Sequence, residues 1–135
     1  MVEPSQFDTE SIVNYWLVEA AEAFQVAEHL VEQQDYSYAL FFGHLAVEKT
    51  LKALYALRRQ EHAPLIHNLV RLARAAGIEL DQEQTTALVT ITAFNIEARY
   101  PDLKRSFRAK CTPAFTNRQM KTIEETLTWL RSMIV

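Results

Sequence analysis

The chain has 135 residues, a formal net charge of −3, two glycines and one cysteine. That length is typical of one domain that buries its own core, and a lone cysteine can form neither an internal disulfide nor a CxxC zinc site. The N-terminus lacks the pattern of a signal peptide, and no apolar run approaches the roughly 20 residues of a membrane span. These features predict a cytoplasmic protein, and the missing ligand motifs predict no metal or cofactor. Because turn-rich β folds need more glycine, the composition predicts one all-α domain over residues 1–135.

Charge is distributed unevenly along the chain. Residues 1–48 hold nine acidic residues and no Lys or Arg, whereas residues 49–135 hold all fourteen basic residues and eight acidic ones. The densest basic stretch is 99–121, where seven basic residues stand against Asp102 alone. Such a split can steer an anionic partner, or the two segments can face each other within one fold or across a dimer.

Two long helices are predicted first. Apolar residues recur in steps of three and four from Ile12 to Leu30, after Asp8 or Thr9 as N-cap, and this helix ends near residue 33 or 34. Asp35 caps a second helix whose apolar residues cover more than one side, which predicts the central position in the fold. Its polar C-terminal end precedes Pro64, which cannot continue it.

Shorter elements follow. A third helix is predicted over residues 65–76, before Gly77, and a fourth begins at the capping box of Asp81 and Gln84. Residues 98–102 break the fourth helix, residues 103–115 are predicted as a loop, and Thr116 is predicted to cap the last helix. The pattern predicts an up-and-down four- to five-helix bundle. The expected buried residues are Trp16, Phe24, Phe41, Leu45, Leu51, Leu54, Phe94, Leu127 and Leu130.

Four short motifs resemble those of minimal prokaryotic HEPN domains. The segment ALFFGHLAVEKTLKAL at residues 39–54 is similar to the second helix of that family, which reads A-x-E-K-x-L-K-A after a small and aromatic stretch. Trp16 with Ala20 and Ala23 resembles the first helix. Residues 64–69 resemble the turn P-x-x-H-x-L, and residues 98–102 resemble the element A-R-Y-P-D. The resemblance spans roughly residues 12 to 130 and implies a helical bundle that commonly dimerises.

The resemblance also implies a function class. Minimal members often act with a minimal nucleotidyltransferase as a toxin–antitoxin pair, and many HEPN proteins are metal-independent ribonucleases with an R-x(4–6)-H motif. This chain departs from that motif. Arg58 and His62 have three residues between them, Arg59 and His67 have seven, and no histidine follows His67. Because the ribonuclease motif is absent, we expect this HEPN-like chain to bind a ligand or partner rather than to be a robust catalyst. Its catalytic residues, if any, are unknown.

The polar residues of the motifs are the candidate site for a nucleotide, RNA or a partner protein. They are Glu48, Lys49, Lys52, His67, Arg99, Tyr100 and Asp102. The guanidinium of arginine suits phosphate or carboxylate, a tyrosine can stack on a base, and a histidine can act as acid or base. Each also has a structural reading: a Glu48–Lys52 salt bridge, a histidine that fixes a turn, and an arginine that caps a helix.

Three functions stay open from the sequence. The first is a HEPN module that dimerises and binds a nucleotidyltransferase partner, a nucleotide or RNA. The second is a ribonuclease with a variant site of Arg99 and His67, and the third is a structural helical adaptor.

Adjacent Phe41 and Phe42 point about 100° apart on a helix, so one small core does not readily cover both, and a homodimer is expected. The basic segment around Lys104 and Arg108 could track a nucleic-acid backbone or be solvated surface.

Overall fold

The computed structural model describes residues 7–134, except for the side chains of Pro101 and Asp102. Within that part of the chain there are six helices and no strand, so the all-α prediction is confirmed. None of the described helices is both long and apolar enough to cross a membrane. The helices are α1 (Thr9–Glu32), α2 (Tyr36–Arg59), α3 (Leu69–Ala75), α4 (Gln82–Glu97), α5 (Pro101–Lys110) and α6 (Pro113–Arg131).

The two long helices, α1 and α2, pack against each other along their length. The buried positions of α1 are Val13 and three alanines, Ala20, Ala23 and Ala27. Small side chains let two helix backbones approach closely, because little volume separates them. Asp8 caps α1 by accepting a hydrogen bond from the Ser11 amide, as expected, whereas the Asp35 side chain makes no cap bond to α2.

Central α2 contacts every other helix of the bundle. Its buried side chains cover most of its circumference, as its apolar pattern predicts. Leu51, Leu54, Phe94, Leu127 and Leu130 are buried in the core, as expected. Trp16, Phe24, Phe41 and Leu45 are only half-buried, so their predicted full burial is wrong. The alanines occupy the α1–α2 contact, and larger side chains remain at its edge.

Residues 103–115 do not form the predicted loop. The segment contains most of α5, with Pro101 in its first turn, and the start of α6. Phe107 anchors α5 by stacking on Phe94 with ring centroids 5.7 Å apart. A single aromatic residue in a basic ten-residue helix gives too weak a periodicity to be recognised in the sequence.

The last helix also begins earlier than expected. Thr112, not Thr116, caps α6 by accepting a hydrogen bond from the Phe115 amide at 3.2 Å. Thr116 is buried inside the helix. Pro113 takes the first helical position, where a missing N–H is tolerated.

Helix α3 is shorter than predicted and begins at Leu69, because Asn68 caps it by accepting from the Arg71 amide at 3.0 Å. Its C-terminal end is held by the C-terminal end of α2. Arg59 Nε donates to the Ala75 carbonyl at 2.9 Å, and Arg58 Nη1 donates to the Gly77 carbonyl at 3.0 Å. These two arginines therefore have structural roles.

Gly43 is a point of close approach between α2 and α6. A Cβ at this position would lie 2.5 Å from Cδ1 of Ile123, whose side chain is fully buried. We predict that Gly43→Ala destabilises the protein by about 1 kcal/mol, since overpacking outweighs the gain in helix propensity. Ile123→Val removes the clashing Cδ1 and alone costs about 0.5–1.5 kcal/mol.

Urea unfolding of both single variants and the double variant tests this contact. The double variant should be more stable than the sum of the single effects implies, because the valine leaves room for the new methyl group. Strict additivity of the two free-energy changes would show that the two helices do not meet tightly at Gly43.

Candidate functional site

A polar stripe lies within the otherwise apolar surface of α2. It consists of His44, Glu48 and Lys52, which are four residues apart and therefore share one face of the helix. Glu48 is 3% exposed and His44 is fully buried. The Glu48–Lys52 pair is thus largely withdrawn from solvent, and its carboxylate needs partners that compensate for lost hydration.

The Glu48 carboxylate has two such partners. Its Oε2 atom lies 3.2 Å from Nζ of Lys52, and its Oε1 atom accepts a hydrogen bond of 2.9 Å from Nδ1 of His67. The Lys52 ammonium also lies 4.8 Å from the ring centroid of Trp16 on α1, which adds a cation–π contact. One carboxylate therefore connects α2 to the segment that precedes α3.

His44 makes the second link to the same segment. Its Nε2 atom lies 3.2 Å from the carbonyl oxygen of His67, so Nε2 carries the proton and donates it. Burial lowers the pKa of His44 and outweighs the opposing effects of the hydrogen bond to the His67 carbonyl and of the nearby Glu48 carboxylate, so the imidazole is held neutral. Its buried Nδ1 atom has no hydrogen-bond partner among the described residues.

His67 is consequently held at two points but remains open to solvent. Glu48 binds its ring nitrogen Nδ1 and His44 binds its backbone carbonyl, while 57% of its side chain is exposed. The neighbouring Leu69 amide donates to Thr92 Oγ1 on α4 at 3.1 Å. The turn before α3 is thus attached to both α2 and α4.

Arg99 and Tyr100 lie at the junction of α4 and α5. Arg99 Nη1 donates a long hydrogen bond of 3.4 Å to Asn95 Oδ1, and its charge makes a minor contribution to the lowered pKa of His44, which burial mainly causes. Tyr100 occupies the N-cap position of α5 with 56% of its surface exposed. The side chain of Asp102 lies outside the described residues, so its predicted role has no geometry.

Lys49 does not join this group. Its Nζ atom pairs with Oε1 of Glu19 on α1 at 2.9 Å, away from the polar stripe. The structure therefore brings Glu48, Lys52 and His67 into one network, with Arg99 nearby. His44 is not among the site residues predicted from the sequence. Its spacing of four residues from Glu48 places both side chains on one face of α2 and is the signal that could have identified it.

The basic segment of α5 is only partly free to bind a ligand. Lys104 Nζ lies 5.0 Å from the ring centroid of Tyr38, and Lys110 Nζ lies 5.4 Å from that of Phe115.

Cys111 is buried, and burial is the main cause that raises its pKa to about 11, which keeps the thiol protonated. Among the side chains that the structure describes there is no group of three His, Cys, Asp or Glu residues that could hold a metal ion.

Glu48 and Glu19 form a matched pair for a stability test. Glu48→Gln should lower the free energy of unfolding by about 1–3 kcal/mol, because it leaves the largely buried Lys52 without its anion. Glu19→Gln breaks an ion pair whose side chains are 31% and 23% exposed, and should cost less than about 1 kcal/mol. Urea unfolding compares the two, and equal losses would contradict a special role for Glu48.

Comparison with known proteins identifies the fold and the family. A crystal structure described as TT1696 from Thermus thermophilus is similar to this chain with a TM-score of 0.75 and 19% sequence identity, covering 89% of this chain and 96% of that one. At that identity the likeness shows the fold alone. No curated protein matches the chain. The family model described as the HEPN domain matches residues 13–133, almost the whole chain, and the protein therefore belongs to the HEPN family.

Proposed function

We propose that this HEPN protein is a cytoplasmic binding module that acts with a minimal nucleotidyltransferase in a toxin–antitoxin-like pair. Its ligand-binding surface consists of His67, Arg99 and Tyr100, and it takes the phosphate of a nucleotide or of RNA. The observation that carries the proposal is the contrast in burial between these groups and their supports. Glu48 is almost fully buried, whereas the His67 side chain that it holds is 57% exposed.

Burial of the support pre-organises the exposed groups. Because Glu48 and His44 hold His67 by its ring and its backbone, little conformational freedom is lost when a ligand binds there. Arg99 offers a planar guanidinium whose only described hydrogen bond, at 3.4 Å, is easily exchanged for a phosphate oxygen. Tyr100 supplies an exposed ring on which a base can stack.

Arg99→Ala tests the ligand-binding surface. We expect it to weaken binding of a fluorescent ATP analogue or a labelled single-stranded RNA by about tenfold, the usual loss for a charge-assisted hydrogen bond. Circular dichroism should be unchanged, since Arg99 is exposed. Arg118→Ala removes the same charge from an exposed position on α6 and should leave affinity unaltered. Normal binding by Arg99→Ala would reduce the network to a structural one and favour the adaptor.

We further propose that the protein forms a homodimer through an apolar stripe beside Arg99. Four exposed apolar side chains follow one another along α4 and into α5: Val89, Ile96, Tyr100 and Leu103. Phe41 and Phe42, from which the sequence predicts a dimer, are each half-buried and pack edge-to-face against each other. The exposed stripe on α4 and α5 is therefore the better candidate interface.

Light scattering of Ile96→Lys tests this interface. The wild-type protein should be a dimer at micromolar concentration, and Ile96→Lys should be a monomer because it buries a charge without a partner. Val26→Lys, a similar change at an exposed position on α1, should remain dimeric. A monomeric wild type would exclude the dimer, and a dimeric Ile96→Lys would exclude this stripe as its interface.

One observation favours the variant ribonuclease as a second candidate. A buried carboxylate behind an exposed imidazole, as in the Glu48–His67 pair, is an arrangement that orients a general base. His67 would then accept the 2′-hydroxyl proton and Arg99 would stabilise the charge on the phosphate. Cleavage of RNA by the purified protein in EDTA, lost in His67→Ala, would favour this reading, and intact RNA would exclude it.

A further inference from the structure

Two grooves flank α6, away from the residues discussed above. The first lies between α4 and α6 and has a volume of about 650 Å³. The second lies between α1 and α6 and has a volume of about 460 Å³. Glu125 borders both grooves, so they form one surface that extends across α6. Neither groove includes Glu48, His67 or Arg99.

Each groove has apolar side chains among its lining. Trp129 and Ala87 contribute to the first groove, and Phe24, Val31 and Met120 contribute to the second. Trp129 and Phe24 are half-buried, so part of each ring is accessible to a ligand. Exposed aromatic surface within a concave site is typical of protein-binding surfaces.

Two of the four threonines that line the first groove, Thr122 and Thr126, have their hydroxyl protons engaged within α6. Thr126 Oγ1 donates its proton to the Thr122 carbonyl at 2.8 Å, and Thr122 Oγ1 donates to the Arg118 carbonyl at 3.2 Å. These two hydroxyl groups can therefore only accept hydrogen bonds from a ligand. Lysine and arginine side chains of a ligand can donate hydrogen bonds to these two oxygens.

The charge of the lining also favours a cationic ligand. The grooves together include six acidic residues and a single basic one, Lys121. The six are Glu28, Glu32, Asp81, Glu83, Glu124 and Glu125. Among the ion pairs found in the described part of the chain, none involves any of these acidic residues. This surface attracts cations and repels nucleic acid.

We propose that this surface, with its two grooves on either side of α6, docks a basic amphipathic segment of a partner protein. The apolar residues of the segment pack on Trp129 and Phe24, and its lysines and arginines pair with the acidic residues around them. A small cation would use only a few of the acidic residues and none of the apolar lining. A peptide segment uses both, and it can extend from one groove to the other across Glu125.

Trp129 provides a direct readout of binding. The chain has two tryptophans, so Trp16→Phe leaves Trp129 as the single reporter in the groove. The probe is a synthetic peptide of about 18 residues with lysine and leucine at helical spacing. We expect saturable changes in Trp129 emission and an affinity that falls as salt is added. Calorimetric titration of the wild-type chain repeats the measurement without the substitution.

Charge reversal tests the location. Glu125→Lys should weaken peptide binding by about tenfold or more, because a like charge is placed between the two grooves. Glu22→Lys makes the same change at an exposed position of α1 outside both grooves and should have little effect. Thermal melting identifies any unfolded variant, and Glu125→Gln, which alters no volume, then replaces Glu125→Lys.

Three outcomes would overturn the proposal. Equal weakening by Glu22→Lys and Glu125→Lys would mean non-specific attraction to the acidic half of the chain. Equal binding of a peptide with glutamate in place of lysine would mean that charge does not select the partner. Full displacement of the peptide by micromolar spermine would mean that the grooves take small cations rather than a protein segment.

Discussion

The buried carboxylate of Glu48 is the constraint on which the rest of the site depends. An anion this deep in a helical bundle must be neutralised and hydrogen-bonded, or it would be strongly destabilising. Lys52 supplies the opposite charge from the same helix, and His67 supplies a hydrogen bond from the segment before α3. Since His44 binds the backbone of the same residue, one polar network sets both the position of that segment and the direction in which His67 faces.

The packing of α1 on α2 decides what remains on the surface. Three buried alanines of α1 form the contact with α2, and larger side chains such as Trp16 and Phe24 stand at its edges. Trp16 there covers the Lys52 ammonium, whereas Phe24 lines an acidic groove beside α6. The same close packing therefore supports the polar network near one edge of α1 and leaves an accessible aromatic ring at the other.

The long helices were predictable because their information is local. Apolar residues at steps of three and four define α1 and α2, and the capping box of Asp81 and Gln84 defines the start of α4. One helix start and one whole helix were predicted wrongly, because the local sequence does not decide them. Thr112 and Thr116 each resemble an N-cap, and only the packing of α6, which buries Thr116, distinguishes them. The basic helix α5 depends on Phe107 reaching Phe94, a contact between residues distant in sequence.

The sequence by itself determined the all-α class, the central position of α2 and, through four short motifs, the HEPN family. It also identified Glu48, Lys52, His67 and Arg99 as candidate site residues. Only the tertiary structure decided that Glu48 is buried, that Lys49 pairs with α1 instead, and that His44 belongs to the network. The reason is physical: helical spacing places residues on a face, but burial and pairing depend on which other element covers that face.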